Sequence, residues 1–406
     1  MRVAVLGGGM QGCCVALALA ERGVQVTLID RNPRLMSRTA VANEGKIHLG
    51  YMYAADPTLS TARTMVEGAL SFAPFMSRVL EVPADSMAVS TPAIYAVHRD
   101  SQHDADGVAR YLSEVHRLIL DAAAHRPDAY FGIDLSAAPR RRTGAELAAC
   151  FDETCTLAAF DSVEVAVDPV ALADALSARV AADPRIEVRL DTLVTGAEAL
   201  DDGVAVACRY GQDETRERFD HAVNALWDGR IALDSAMGNR PRRPWLHRLK
   251  YGVSFRIPEG VRPPPSATFV SGPFGEVVSY EGGLTYLTWY PTCLREITAA
   301  ESPPQWEIYP PDPLKSEIAA ATIDTLANIV PALGAIDPAA LREVKVKGGP
   351  IVAWGSTDIY DPASELHQRF EIGVTSVDRF HSVDPGKLTM APHFARVCAD
   401  RIAPGR

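Results

Sequence analysis

The chain has 406 residues, a formal net charge of −11, 47% apolar residues and 22% charged ones. That length predicts two domains rather than one core, and the composition is that of an ordinary globular protein. The acidic balance argues against nucleic acid or an anionic membrane as the main partner, because both demand basic surface. No run of about 18 uncharged apolar residues offers a transmembrane segment. The seven cysteines form no Cys-x-x-Cys pair and no zinc pattern, so no metal is expected. Their odd number fits reduced thiols in a cytoplasmic protein, and the early glycine loop interrupts any signal-peptide apolar region.

The first thirty residues, MRVAVLGGGMQGCCVALALAERGVQVTLID, organise the rest. Arg2 to Leu6 is a short valine-rich run suited to a strand buried on both faces. Gly7, Gly9 and Gly12 follow with the G-x-G-x-x-G spacing, then a small-residue helix over 10–22 and a second buried strand over 25–29. In such a unit the first glycine makes the tight turn, and the second lets backbone approach a pyrophosphate. The third allows helix and strand to pack, while the helix N-terminus offers free N–H groups to phosphate. Asp30 closes the unit and would accept from a ribose hydroxyl. An acid there disfavours a 2′-phosphate, so the expected ligand is FAD or NAD rather than NADP.

The polar segment 31–45 follows. Ile47, Leu49, Tyr51 and Tyr53 then alternate as a short strand would, and 58–70 shows helical spacing. A strand is predicted over 89–97. An amphipathic helix carries Val108, Tyr111, Leu112, Val115 and Ile119 on one face. Pro127 and the Arg140–Arg142 run read as loop, the run as a solvated patch. Asp168-Pro169 is a helix start, with Asp as N-cap and Pro at the first helical position. The helix should stop before Pro184. Strands are predicted over 186–190, 192–199, 204–210 and 219–226, with a charged turn over 211–218. A helix followed by a β-meander is not a simple alternating βα pattern.

Residues 230–345 change character, with proline pairs and triplets at 263–265, 303–304 and 310–311. Strands over 251–257, 267–270, 277–280 and 285–290, plus a helix over 314–330, predict an antiparallel sheet with helical cover. A strand over 370–374 and a helix over 392–402 end the chain. The fold class is therefore α/β (α+β), a Rossmann-like unit joined to a mixed or antiparallel sheet domain.

The stretches VAVLGGGMQGCCVALALAERGVQVTLID, SRTAVANEGKIHLGYMYAADPTLSTAR, HAVNALWDGR and SVDPGKLTMAPHFARVCADRI together resemble the FAD-dependent D-amino-acid-oxidase-like superfamily. The GKIHLGYMYAADPTLSTA portion is most like L-2-hydroxyglutarate dehydrogenases. The resemblance implies a discontinuous FAD domain of residues 1–85, 150–230 and 345–406, and a substrate domain of 86–149 and 231–344. It implies FAD contacts at Gly7, Gly9, Gly12, Asp30, Ser37, Asn43 and Gly45, at Val194 and Ala225, and at Gly386, Lys387, Leu388 and Thr389. Arg31 beside Asp30 is a further cofactor-side candidate. Lys46 offers positive charge near the flavin or a substrate carboxylate.

His48 is the candidate base for a hydroxyl proton. Lys387 at a helix start would stabilise negative charge on a reduced flavin. Arg256, with Tyr251 nearby, and Tyr290, with Arg295, are candidates to hold a carboxylate in bidentate geometry. The implied activity is hydride removal from a C–H bond next to oxygen or nitrogen of a small, carboxylate-bearing molecule. An NAD(P)H-reduced flavin monooxygenase is disfavoured because no second glycine loop exists. A non-catalytic dinucleotide-binding module is the remaining alternative.

Overall fold

The structure, a computed structural model, describes residues 1–126 and 128–405. Pro127, read above as loop, lies outside the described residues. Two large sheets face each other across one cavity. The first has six strands in the order Gly373–Val377, Phe380–Asp384, His221–Asn224, Arg2–Leu6 (β1), Gln25–Ile29 (β2) and Ile186–Arg189. All neighbours run parallel except the Gly373–Val377 edge. Four of the five residues in β1 and in β2 are buried, because helices pack on one face and a meander on the other.

The helix Met10–Ala20 (α1) is buried along its whole length and packs on Ala391–Ile402 and Pro169–Ala182. Its run of Cys, Ala, Val and Leu without charge therefore reflects cover on every side. The Asp168 carboxylate caps Pro169–Ala182 by accepting from the Val170 and Ala171 N–H groups, as predicted. On the opposite face the three-stranded meander Thr192–Leu200, Gly203–Tyr210 and Asp213–Phe219 packs through Val204, Val206 and Phe219 onto Ala4, Leu6 and Ile29. Asp213–Phe219 is a strand where a charged turn was expected. Its charges are solvated or ion-paired on an outer strand, so polarity concealed the period.

The second sheet has nine strands, including Ile94–His98, Thr156–Asp161, Trp245–Arg256, Ala267–Val270, Gly275–Ser279 and Leu284–Trp289. Arg342–Trp354 pairs antiparallel with Trp245–Arg256 along nearly its whole length. Strand side chains alternate between faces. Leu249, Tyr251, Val253 and Phe255 enter a core beneath the Leu314–Ala327 helix, whereas Lys250 faces the cavity. Two expected boundaries change accordingly. Thr156–Asp161 and Arg342–Trp354 belong to this second sheet, although 150–230 and 345–406 were assigned to the FAD domain.

Residues 47–53 are not a strand. Ile47, Leu49, Tyr51 and Tyr53 are buried, but Gly50 at φ 100° turns the chain between them. The alternation there recorded burial without pairing. The predicted helix at 58–70 extends to Ser60–Leu80 and continues through Pro74. No helix among the described residues is long and apolar enough to cross a membrane.

Candidate functional site

The cavity, of about 610 Å³, runs from the C-terminal ends of β1 and β2 to the face of the second sheet. Open parallel sheets bind ligands at that end of their strands.

Backbone builds the dinucleotide end. Gly7 takes φ 105°, and a Cβ there would stand 2.5 Å from the Ala225 carbonyl oxygen. A Cβ on Gly12 would lie 1.8 Å from the Gly7 oxygen, so only glycine lets α1 pack on this turn. Gly9 differs: it lines the cavity, and a Cβ on it would meet nothing within 4 Å. It is the N-cap of α1 without a capping side chain, which leaves first-turn N–H groups for an anion. Asp30 accepts from Gly8 N at 2.6 Å and from Asn32 N and Nδ2 at 2.7 Å each. A carboxylate has about four lone-pair positions, so one remains for a ribose hydroxyl. Arg38, also on the wall, keeps a buried Nε without a partner. Arg31 pairs with Asp228 at 3.1 Å. An open glycine position, an uncapped helix and an unpartnered guanidinium NH fit the diphosphate of FAD.

Side-chain charge builds the other end. His48 is 2% exposed. Its N–H donates to the Thr389 hydroxyl at 2.9 Å, and Nδ1 lies 3.3 Å from Glu164 Oε1. Its Nε2 is buried with no hydrogen-bond partner, and Glu44 Oε1 is 3.9 Å away. Lys46 pairs with Glu276 at 2.6 Å and donates to the Thr268 hydroxyl. Lys250 and Lys387 line the cavity, with Lys250 Nζ 4.8 Å above the Tyr290 ring. Burial lowers Lys387 to about 8 against the pull of Glu44. Burial alone would raise Glu44, but Lys387, Lys250 and His48 bring it down to about 2. Arg369 lines the wall and donates to the Leu366 and Val352 oxygens at 2.8 Å and to Gly386 O at 3.2 Å. Four cations thus meet two cavity carboxylates, Glu44 and Glu276, at this end.

Most of the residues singled out from sequence meet here. Gly7, Gly9, Asp30, Arg31, Ser37, Asn43, Lys46, His48, Val194, Ala225, Tyr290, Gly386, Lys387 and Leu388 line the cavity. Gly12, Gly45 and Thr389 stand one layer behind it. Gly45 (φ 67°) packs on the Val167 oxygen, and Thr389 bridges His48 N and Lys46 O.

Arg256 requires correction. It shares the Lys250 strand face but lies six residues, about 20 Å, further along. There it pairs with the exposed Glu343 at 3.5 Å and donates to Gly282 O. Tyr251 turns away to Glu307 O, and Arg295 pairs with Glu317 on the surface. The Arg140–Arg142 run is held by Glu146, Asp161 and Asp106, away from the cavity. It is not loop: Arg141 and Arg142 form a short strand paired antiparallel with Thr156–Asp161, and Arg142 is half-buried.

Sequence reasoning missed Glu164, Lys250, Arg369 and Glu44. Glu164 had a signal: a carboxylate inside the apolar run Val163–Val167, where a buried charge needs partners. Lys250 had one too, as the lysine opposite Leu249 and Tyr251 in an alternating strand. Arg369 and Glu44 lie in irregular segments and had none.

The family model for FAD dependent oxidoreductases matches residues 2–360. D-amino acid dehydrogenases of Methylobacterium nodulans and Vibrio cholerae are 47% identical over 51 residues, 13% of this chain and 12% of each relative. The chain thus matches only a small part of the length of these curated relatives. Three solved structures share the fold. Glycine oxidase from Geobacillus kaustophilus has TM-score 0.69 at 14% identity, covering 100% of this chain and 95% of that one. L-alpha-glycerophosphate oxidase from Mycoplasma pneumoniae, with FAD bound, has 0.65 at 16%, with the same coverage. L-amino acid deaminase from Proteus vulgaris has 0.64 at 14%, covering 100% and 90%. With the dinucleotide turn, the opposed sheet and a model matched over most of its length, the chain belongs to the DAO family of FAD-dependent oxidoreductases.

Proposed function

We propose that the protein oxidises a small 2-hydroxy acid, with its carboxylate held at the cationic end of the cavity. The observation that carries this reading is the unpartnered Nε2 of His48 on the cavity wall. A hydroxyl is too weak an acid to lose its proton unaided, and a positioned base contributes ~10²–10⁴-fold. Arg369 and Lys250 bind the carboxylate and orient the substrate, and Nε2 takes the hydroxyl proton. The hydride leaves the same carbon, and a 2-oxo acid results. Bound FAD supplies the two-electron acceptor for that hydride. Gly9, Asp30 and Arg38 would hold its diphosphate half. Lys46, Lys387 and Leu388 would stand beside its ring, where Lys387 offsets developing negative charge.

Glu44 favours a second reading. A carboxylate kept ionised on the same wall would accept from a substrate ammonium. Glycine oxidase and D-amino acid dehydrogenase, by their names, act on amino acids. Anaerobic mixing of FAD-loaded protein with glycolate, lactate, malate, 2-hydroxyglutarate, glycine, sarcosine and D-alanine separates the two. Bleaching of the ~450 nm flavin band by a hydroxy acid is expected. Bleaching by amino acids alone would transfer the assignment to the second reading.

A further inference from the structure

Glu164 comes from the segment after Thr156–Asp161, a strand of the second sheet, and reaches His48 at the substrate end of the cavity. Its side chain is 0% exposed. Oε2 accepts from Leu49 N at 2.6 Å, while Oε1 faces His48 Nδ1 at 3.3 Å and accepts from the Tyr95 hydroxyl. A buried carboxylate is costly unless several donors satisfy it, and here three converge on it. Burial raises the carboxyl, but His48, Lys46 and Tyr95 outweigh burial and hold it below its ordinary value.

We infer that Glu164 is a positioning residue, fixing the His48 imidazole with its proton on Nδ1 so that Nε2 presents a lone pair to the substrate. This inference rests on the reading of His48 as the base. An ionised carboxylate can only accept, so the Nδ1 contact requires Nδ1–H. A neutral imidazole then has its lone pair on Nε2. Glu44 does not compete for the ring proton, because 3.9 Å is beyond hydrogen-bonding distance. A second tether comes through the backbone. Glu164 holds Leu49 N while Thr389 holds His48 N, so ring and chain are fixed from opposite sides. As substrate loses its hydroxyl proton to Nε2, His48 becomes cationic beside the carboxylate. Glu164 thereby favours the charged product of the step without itself taking the proton.

Glu164→Gln tests this with little change of shape. The buried Leu49 N–H must keep its acceptor, so the amide oxygen takes the Oε2 place. The amide NH₂ then faces Nδ1, and the ring proton moves to Nε2. With FAD-loaded protein and whichever of glycolate, lactate, malate or 2-hydroxyglutarate reduces the flavin fastest, Glu164→Gln should slow reduction at least ~10²-fold. FAD content should not change. In a His48→Ala background the same substitution should cost less than about threefold, because residues acting through one another are not additive. Nitrogen-15 NMR of histidine-labelled holoprotein, with His48 assigned from a His48→Gln variant, reads the tautomer without any substrate.

Protonated Nδ1 in the native neutral ring and protonated Nε2 in Glu164→Gln are expected. A slow His48→Ala variant beside a fast Glu164→Gln variant, or full additivity in the double variant, would overturn the role of Glu164 alone. A fast His48→Ala variant would remove the base and this inference together. If Glu164→Gln does not fold, the native spectrum decides, and a proton on Nε2 overturns the inference.

Discussion

The two ends of the cavity are built by different physics. At the dinucleotide end the ligand-facing groups are main-chain N–H groups flanked by Asp30 and Arg38, and Gly7 and Gly12 are dictated because a Cβ on them would stand 2.5 and 1.8 Å from backbone oxygens. At the substrate end the groups are charged side chains out of water, Lys46, Lys250, Lys387 and Arg369 against Glu44, Glu164 and Glu276, gathered around the His48 imidazole. Backbone recognition is rigid and tolerates change around it. A buried charge network responds to the loss of any single member.

Gly9→Val should break the first end most completely. Its Cβ enters open cavity, so the protein folds, but the side chain fills the space of the diphosphate. Flavin content after loading with excess FAD should fall to near zero, with the melting temperature of the FAD-free protein unchanged. Full flavin occupancy would separate the loop from phosphate binding.

At the other end, Lys387→Met should slow flavin reduction by about tenfold, equivalent to ~1.4 kcal/mol of barrier, with FAD affinity changed far less. The charge it offsets arises only on reduction. The same residue gives a pH dependence. Lys387 is cationic below about 8, so reduction should fall as pH rises through that value. That fall should be absent from Lys387→Met, and a persisting one would assign it to another group. The smallest effect belongs to neither end. Arg256→Ala should leave substrate reduction unchanged and alter stability by less than about 0.5 kcal/mol, as exposed ion pairs do.

The same division explains what could be read before the structure. β1, α1 and β2 carry their signal in a contiguous thirty residues, because the turn, the helix start and the acid at position 30 are local. The first two strands of the meander and the Ala391–Ile402 helix were also legible from local period, whereas the charged third strand, Asp213–Phe219, was not. The substrate end is assembled from residues far apart in the chain. Lys46 meets Glu276, and His48 meets Glu164 and Thr389, across separations of 116 to 341 residues. No local pattern records such a meeting. Arg256 was singled out for being an arginine in a strand, but depth along the strand, not residue type, decides which cation reaches the cavity. The same sheet moved the domain boundaries: strands 156–161 and 342–354 join it by long-range pairing that spacing does not show.

The division of labour itself is tested most directly by His48→Ala, loaded with FAD and mixed anaerobically with the 2-hydroxy acid that best reduces the native protein. Retained flavin with reduction slowed at least ~10²-fold is the predicted result. Loss of flavin, or reduction at the native rate, would contradict it.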